Sequence, residues 1–318
     1  MKQIALMIFL ISFKLDVTGI EYFTTGHDAY TGWDIYQNDH ISFGIPNYPN
    51  SIGGYQHKIH DADGGFTDNL EFFCDPDDIV YIKSAFGKQT KYISYLPVKQ
   101  DVFLNNEKTF FRASFLTEIK LVNDLNQKKI DIRIDKSFKN NDKFITNTIY
   151  IHNQSQSTVD VAWIAQDAAY MSFKDNSQKN VLPYSKLNSS LINTNFFSEI
   201  NVGDRVGTEH TRELIVGSYS PLNKPKKCKI YGGVVNEYAF FVSHSMNEAT
   251  KQQYPYGYAD ISKSGYNDIK GLLNYFSKKR YNLNQLQNRM IIYECNDINP
   301  GEKIILQYSQ TAETIKEE

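Results

Sequence analysis

Cysteine is scarce in this chain. Three occur in 318 residues, with no Cys-x-x-Cys and no Cys/His cluster, which excludes a zinc site of the usual spacing. One-sided charge is missing as well: 34 Lys and Arg face 36 Asp and Glu, a formal net charge of −2. The densest basic run, Lys224 to Lys229, is short, so nucleic-acid binding has no electrostatic footprint here. A Gly-x-Ser-x-Gly elbow, a Walker loop and a dinucleotide fingerprint are all absent, which removes the enzyme classes built on them. Past the N-terminus no run is long and apolar enough to span a bilayer. No repeat and no Pro/Gly/Ser linker interrupts the chain. One domain is expected over residues 20–310, with 311–318 as a frayed acidic tail.

Aromatic residues are plentiful, with 22 Tyr and 20 Phe, and alternation with period two dominates. From Phe115 to Ile164 four runs show it: Phe115 to Val122, Ile130 to Asp135, Ile145 to Ile151 and Val159 to Trp163. Each places aliphatic side chains on one face, and the short polar turns between them predict a four-strand antiparallel meander. Asp34 to Gln37 and His40 to Gly44 read as edge strands around Asn38-Asp39. Ile45 to Tyr55, with two prolines and Gly53-Gly54, reads as loop. Leu70 to Phe73 and Ile79 to Ser84 flank Asp75-Pro76-Asp77-Asp78. Met290 to Cys295 and Lys303 to Tyr308 close the chain around the turn Asn299-Pro300-Gly301. One helix is predicted over Asp268 to Lys279, where Ile269, Leu272, Leu273 and Phe276 make one stripe. The fold class is all-β, an antiparallel β-sandwich or supersandwich with one short helix in the C-terminal half.

Met1-Lys2-Gln3, the apolar run Ile4 to Phe13 and the small residues near Val17-Thr18-Gly19 have the form of a secretory signal peptide over residues 1–19. A secreted protein is expected, periplasmic if bacterial, meeting a membrane only through that signal. Three cysteines in such a compartment allow one disulfide and one free thiol. Cys228 and Cys295, each in a strand-like run, are the preferred pair. Asn153-Gln154-Ser155 and Asn188-Ser189-Ser190 are glycosylation sequons in predicted loops, usable in a eukaryotic secretory pathway.

Three stretches carry a family resemblance. Ile130 to Phe138 looks like a strand ending in a charged, aromatic kink. Asn147 to Ser155 ends in an Asn-x-Ser turn, and Asn299 to Tyr308 has a Pro-Gly-Glu turn before a final strand. Together they resemble the galactose-mutarotase-like β-supersandwich proteins, found in sugar epimerases and in accessory domains of carbohydrate enzymes. The resemblance implies a supersandwich and, by analogy, contact with sugars. Epimerases of that fold use paired histidines and a carboxylate. His152, His244, Glu237 and Glu294 are present but stand in no matching context, so no catalytic residue is carried over.

Asp61, Asp63 and Asp68 around Gly64-Gly65 form the best metal candidate. Hard cations want several oxygens from a tight loop, which makes calcium the candidate ion, while a solvated Asp/Gly turn is the preferred reading of these residues. His57 and His60, at i and i+3 on an extended segment, do not converge on a transition metal. Glu209-His210-Thr211-Arg212-Glu213 reads as a salt-bridged strand end. Asp167 with Tyr170, after Trp163, pairs a carboxylate with an aromatic ring, which suits a sugar. Tyr254, Tyr256 and Tyr258 form a tyrosine loop suited to stacking on a glycan or a partner.

The functional expectation is a secreted carbohydrate-binding protein to which no catalytic residue is assigned. One alternative is a saccharide-active enzyme, epimerase- or lyase-like, using histidine and carboxylate acid–base chemistry. Another is an extracellular structural protein with a protein partner. A His–carboxylate pair in a concave pocket favours the enzyme, exposed coplanar tyrosines favour binding, and a flat apolar patch favours the interface.

Overall fold

A computed structural model describes residues 24–28, 33–38, 40–46, 54–60, 66–84, 90–94, 99–120, 129–173, 178–179, 182–183, 191–192, 198–210, 215–235 and 288–314. In chain order the strands are β1 (Thr24–Asp28), β2 (Trp33–Gln37), β3 (Ile41–Pro46), β4 (Gly54–His60), β5 (Phe66–Ser84), β6 (Thr90–Ser94), β7 (Lys99–Leu104), β8 (Phe110–Lys120), β9 (Lys129–Lys139) and β10 (Phe144–Asn153). They continue as β11 (Val159–Phe173), β12 (Gln178–Lys179), β13 (Leu182–Pro183), β14 (Leu191–Ile192), β15 (Ser198–Glu199), β16 (Arg205–His210), β17 (Ile215–Pro221), β18 (Cys228–Val235), β19 (Asn288–Ile298) and β20 (Lys303–Thr314). The first sheet runs β1-β2-β3-β4-β5-β11-β19-β18-β15, with β6 added on β5 and β12 on β11. The second runs β13-β16-β17-β20-β10-β9-β8-β7, with β14 on β16. Among the described residues every pairing but β14 with β16 is antiparallel. The all-β expectation holds; the helix expected over Asp268 to Lys279 lies outside the described residues.

The two sheets face each other across one core. Phe43 of β3 lies 5.6 Å from Phe111 of β8, centroid to centroid, and Tyr293 of β19 lies 6.5 Å from Tyr308 of β20. Period two explains the partition. Ile130, Ile132 and Ile134 of β9, Ile145, Ile149 and Ile151 of β10, and Ile304 and Leu306 of β20 point inward and are buried. Each such side chain contributes about 1.5–3 kcal/mol of burial.

The expected four-strand meander is three strands long. β8, β9 and β10 are consecutive neighbours, but β11 pairs with β5 and β19 in the opposite sheet. Composition supplies the reason. β11 buries Val161, Trp163 and Ala165 on the face toward the core, and Ala162 and Ile164 as well. A strand apolar on both faces suits the centre of a covered sheet.

Other departures have local causes. Asp75-Pro76-Asp77-Asp78 does not interrupt β5, which is one continuous strand. Pro76 falls where β4 has stopped pairing, at Cys74, and β6 has not begun, at Ile79. Its missing N–H therefore faces no ladder partner on that side. The hairpin around Asn38 forms as expected, yet neither β2 nor β3 is an edge, since β1 and β4 flank them. Gly54 and Tyr55, expected in a loop, begin β4. β20 runs through Thr314, so Thr311 to Thr314 pair with β17 in the segment expected to fray.

Two buried asparagine amides tie the sheets together. Asn38, between β2 and β3, donates from Nδ2 to Lys139 O (2.9 Å) and Asp142 O (3.0 Å) in the β9–β10 turn. Asn153, where the chain crosses from β10 to β11, donates to Ser157 O (2.8 Å) and Ile298 O (2.9 Å). Its Oδ1 accepts from Ser155 N (3.0 Å) and Ser155 Oγ (2.6 Å). Asn153 is 0% exposed. The first sequon is therefore closed to an oligosaccharide in the folded chain, because its amide is buried and already spent on the corner. Asn188 lies outside the described residues.

The Pro-Gly-Glu turn completes the same corner. Gly301, at φ 77°, donates to Asn153 O (2.7 Å), and Asn153 N donates to Glu302 O (3.0 Å). The Asn-x-Ser and Pro-Gly-Glu segments thus meet in space. Lys227 Nζ donates to the Glu302 carboxylate (2.6 Å). That bond, with the Asn299 N–H, holds the Glu302 carboxyl below the usual carboxylate range. Beside it Cys228 and Cys295, opposite each other on β18 and β19, form a disulfide with Cα atoms 4.1 Å apart. The expected pairing is correct.

Candidate functional site

The open face of the second sheet carries the most developed surface chemistry among the described residues. Arg133, Tyr150 and Ile305 lie on adjacent strands in one cross-strand row that begins at Leu116 of β8. Alternation turns all four away from the core. The Arg133 guanidinium carbon sits 4.1 Å from the centroid of the Tyr150 ring, an arrangement in which the ring quadrupole attracts the cation. Arg133 Nε lies 3.1 Å from Asp135 Oδ1. The Arg133 side chain is 45% exposed and that of Asp135 is 7% exposed.

The next row is recessed and polar. Ser114, Asp135, Thr148 and Gln307 lie opposite one another across four strands. Gln307 Nε2 donates to Thr148 Oγ1 (3.3 Å), while Asp135 Oδ1 accepts no hydrogen bond despite its ion pair. On the other flank, Glu118, Asp131, His152 and Lys303 form a charged row. There Lys129 pairs with Glu118 and Asp131, and the Gln154 amide donates to Asp131. Ile305, 45% exposed, and Leu222, 44% exposed, add apolar surface beyond Tyr150. An aromatic ring, a cation, a recessed carboxylate, a hydroxyl and an amide therefore lie in neighbouring rows of a rigid ladder.

A second polar group sits on the first sheet. Tyr231 of β18 donates to Glu294 Oε2 of β19 (3.4 Å). Burial raises the Glu294 carboxyl above its ordinary value, against the Tyr231 hydrogen bond and the Lys229 charge. Burial, then Glu294 and Glu199, push the Tyr231 phenol up to about 12. Lys224 pairs with Glu199 at 3.3 Å. Glu294 was one of the carboxylates noted in the sequence, but its half-buried setting beside Tyr231 depends on the pairing of β18 with β19.

The residues singled out from sequence are placed unevenly. Asp61, Asp63, Tyr254, Tyr256 and Tyr258 lie outside the described residues, as do Glu237 and His244. Asp68 lies on β5 rather than in a loop, because β4 extends through His60 and pairs it with Phe66. Asp167 lies on β11 in register with Pro76 and Arg289, and Tyr170 lies opposite Phe73. Asp68 and the Asp167 level are separated by roughly 26 Å of β5 at about 3.3 Å per residue. Asp68 and Asp167 therefore belong to different places on the sheet. Val235 and Asn288, the roots of the segment containing the tyrosine loop, pair with each other, and Asn288 also pairs with Ala168. That segment thus leaves and rejoins the sheet beside Asp167. Glu209 and His210 end β16 in the hairpin with β17. Among the described residues no group of three His, Cys, Asp or Glu is placed to hold a metal ion, and no helix is long and apolar enough to cross a membrane.

Sequence reading missed Arg133, Asp135 and Tyr150. The one signal was their polar-outward alternation with Ile132, Ile134, Ile149 and Ile151, which any half-buried sheet shows. Compared with known proteins, the chain matches no family model and no curated protein.

Proposed function

We propose that this is an extracellular β-sandwich protein that binds saccharide without turning it over, on the open face of the second sheet. One observation carries the reading: Tyr150 and Arg133 in one cross-strand row, with Gln307 in the next and the buried Asp135 and Thr148 holding the arginine and the amide in place. Sugars present hydroxyls that pair with carboxylates and amides, and C–H faces that pack on aromatic rings and aliphatic side chains such as Ile305. Strand ladders hold such groups in place without further ordering, which favours binding. The disulfide suits an oxidising compartment.

The test is a glycan array with three proteins: wild type, Tyr150→Ala and Tyr256→Ala. Loss of the ring contact should weaken binding about tenfold, equivalent to about 1.4 kcal/mol. Tyr256→Ala should bind as wild type does. Binding that survives Tyr150→Ala and fails with Tyr256→Ala would move the site to the tyrosine loop. No glycan binding at all would end the reading.

A further inference from the structure

We infer that Arg133 is a preoriented receptor for a carboxylate group, so that the saccharide recognised on this face is an acidic one. The inference rests on the saccharide reading above and narrows its ligand class. Arg133 is held at two points. Its guanidinium plane packs on the Tyr150 ring at 4.1 Å, and its Nε faces Asp135 Oδ1 at 3.1 Å. Asp135 is itself 5% exposed, so the carboxylate that orients the arginine is fixed by the sheet and shielded from solvent.

These contacts use one face and the Nε edge of the guanidinium. No hydrogen bond from its two terminal nitrogens to any described residue is present, and the side chain is 45% exposed. The unused edge is the one that binds a carboxylate through two parallel hydrogen bonds. An arginine pinned by an aromatic ring and a buried acid loses little freedom when a ligand arrives, which is the advantage of preorganisation. Asp135 meets Nε, so the two terminal nitrogens of the outer fork keep their donor positions for a ligand.

The neighbouring rows extend the recognition. Lys303, exposed and without an ion pair among the described residues, lies opposite His152 on β20. Arg133 and Lys303 flank β10 with two strand spacings between them, roughly 10 Å. A second carboxylate on an oligosaccharide chain falls within reach of Lys303. Gln307, in the recessed row on the side of Arg133 away from Lys303, offers an amide to ring hydroxyls. A hexuronate oligomer has this chemistry: carboxylates along a chain of hydroxylated rings.

The experiment is calorimetric titration of the intact, disulfide-bonded protein with tri-galacturonate and with the matched neutral galactotriose. Both are repeated on Arg133→Lys and on Tyr150→Ala, and inorganic phosphate serves as a competitor. The expected result is at least tenfold tighter binding of the acidic sugar. Arg133→Lys keeps the charge but loses the planar fork, and should weaken the acidic sugar about tenfold while leaving the neutral one unchanged. Unchanged thermal unfolding of Arg133→Lys would exclude a folding defect. Equal binding of both sugars, insensitive to Arg133→Lys but lost in Tyr150→Ala, would overturn this inference and leave the saccharide reading standing. Displacement by phosphate at concentrations equal to those of the sugar would show a general anion site and would also overturn it. No binding of either sugar would remove both.

Discussion

Replacing Asn153 by alanine should destabilise the protein more than any other single substitution in an Asn-x-Ser turn would suggest. The side chain is fully buried and makes four hydrogen bonds, two donated to Ser157 O and Ile298 O and two accepted from Ser155. Alanine leaves Ser157 O one remaining donor, because Ser155 Oγ also reaches it at 3.0 Å. Ile298 O and Ser155 N lose the Asn153 contact in a site closed to water. Each orphaned group costs about 1–3 kcal/mol, so the substitution should cost about 3–5 kcal/mol. That is a large share of the ~5–15 kcal/mol that holds a typical domain together. The melting temperature should fall by about 5–7 °C. Equilibrium urea unfolding with the disulfide intact measures the loss. Ser155→Ala is the informative control, since it also destroys the sequon but keeps the Asn153 amide bonds, and should cost about 1 kcal/mol. Equal losses in the two variants would point to a glycan as the source of stability. A loss below 1 kcal/mol in Asn153→Ala, or a glycopeptide at Asn153 from folded material, would refute the reasoning.

Two further outcomes follow from named contacts. Burial keeps Glu294 protonated to higher pH in the folded chain than its ordinary value of 4.5. Its stabilising contribution is therefore complete below that value and lost as pH rises through the raised one. Glu294→Gln should raise the melting temperature at pH 7 and converge on wild type near pH 4; a difference that does not change with pH would contradict this. At Gly232 an added Cβ would lie 2.6 Å from Val206 Cγ2 and 2.8 Å from Ile200 Cδ1, where β18 meets β16. Gly232→Ala should cost about 1–3 kcal/mol, and adding Val206→Ala should recover part of it. Strict additivity in chemical denaturation would show that the two positions do not touch.

The surface that carries the functional proposal was poorly legible in the sequence. Arg133, Asp135 and Tyr150 are ordinary outward positions on alternating strands, and nothing in their spacing marks them. They gain meaning through the register of β9 with β10, which places Arg133 opposite Tyr150. The residues that did stand out, Asp61, Asp63 and the tyrosines at 254, 256 and 258, drew attention by composition, a property of loops rather than of ladders. Glu294 shows the same limit from the other side: a strand carboxylate like many others until Tyr231 and burial give it a raised affinity for its proton.

What the chain determined by itself is local. Side chains on a strand alternate regardless of neighbours, so the strands β8, β9, β10, β11, β19 and β20 and the polar turns between them were readable from period two alone. Two cysteines in strand-like runs were enough to suggest their bond. The tertiary structure decided what period two cannot encode, namely which strand pairs with which. It sent β11 to the opposite sheet, because a strand apolar on both faces is stable only between β5 and β19. It also turned a glycosylation motif into a buried corner, because Asn153 O and N meet Gly301 and Glu302 from the far end of the chain. Register and burial depend on contacts between distant segments, and those contacts put a ring, a guanidinium and a shielded carboxylate side by side on an open sheet.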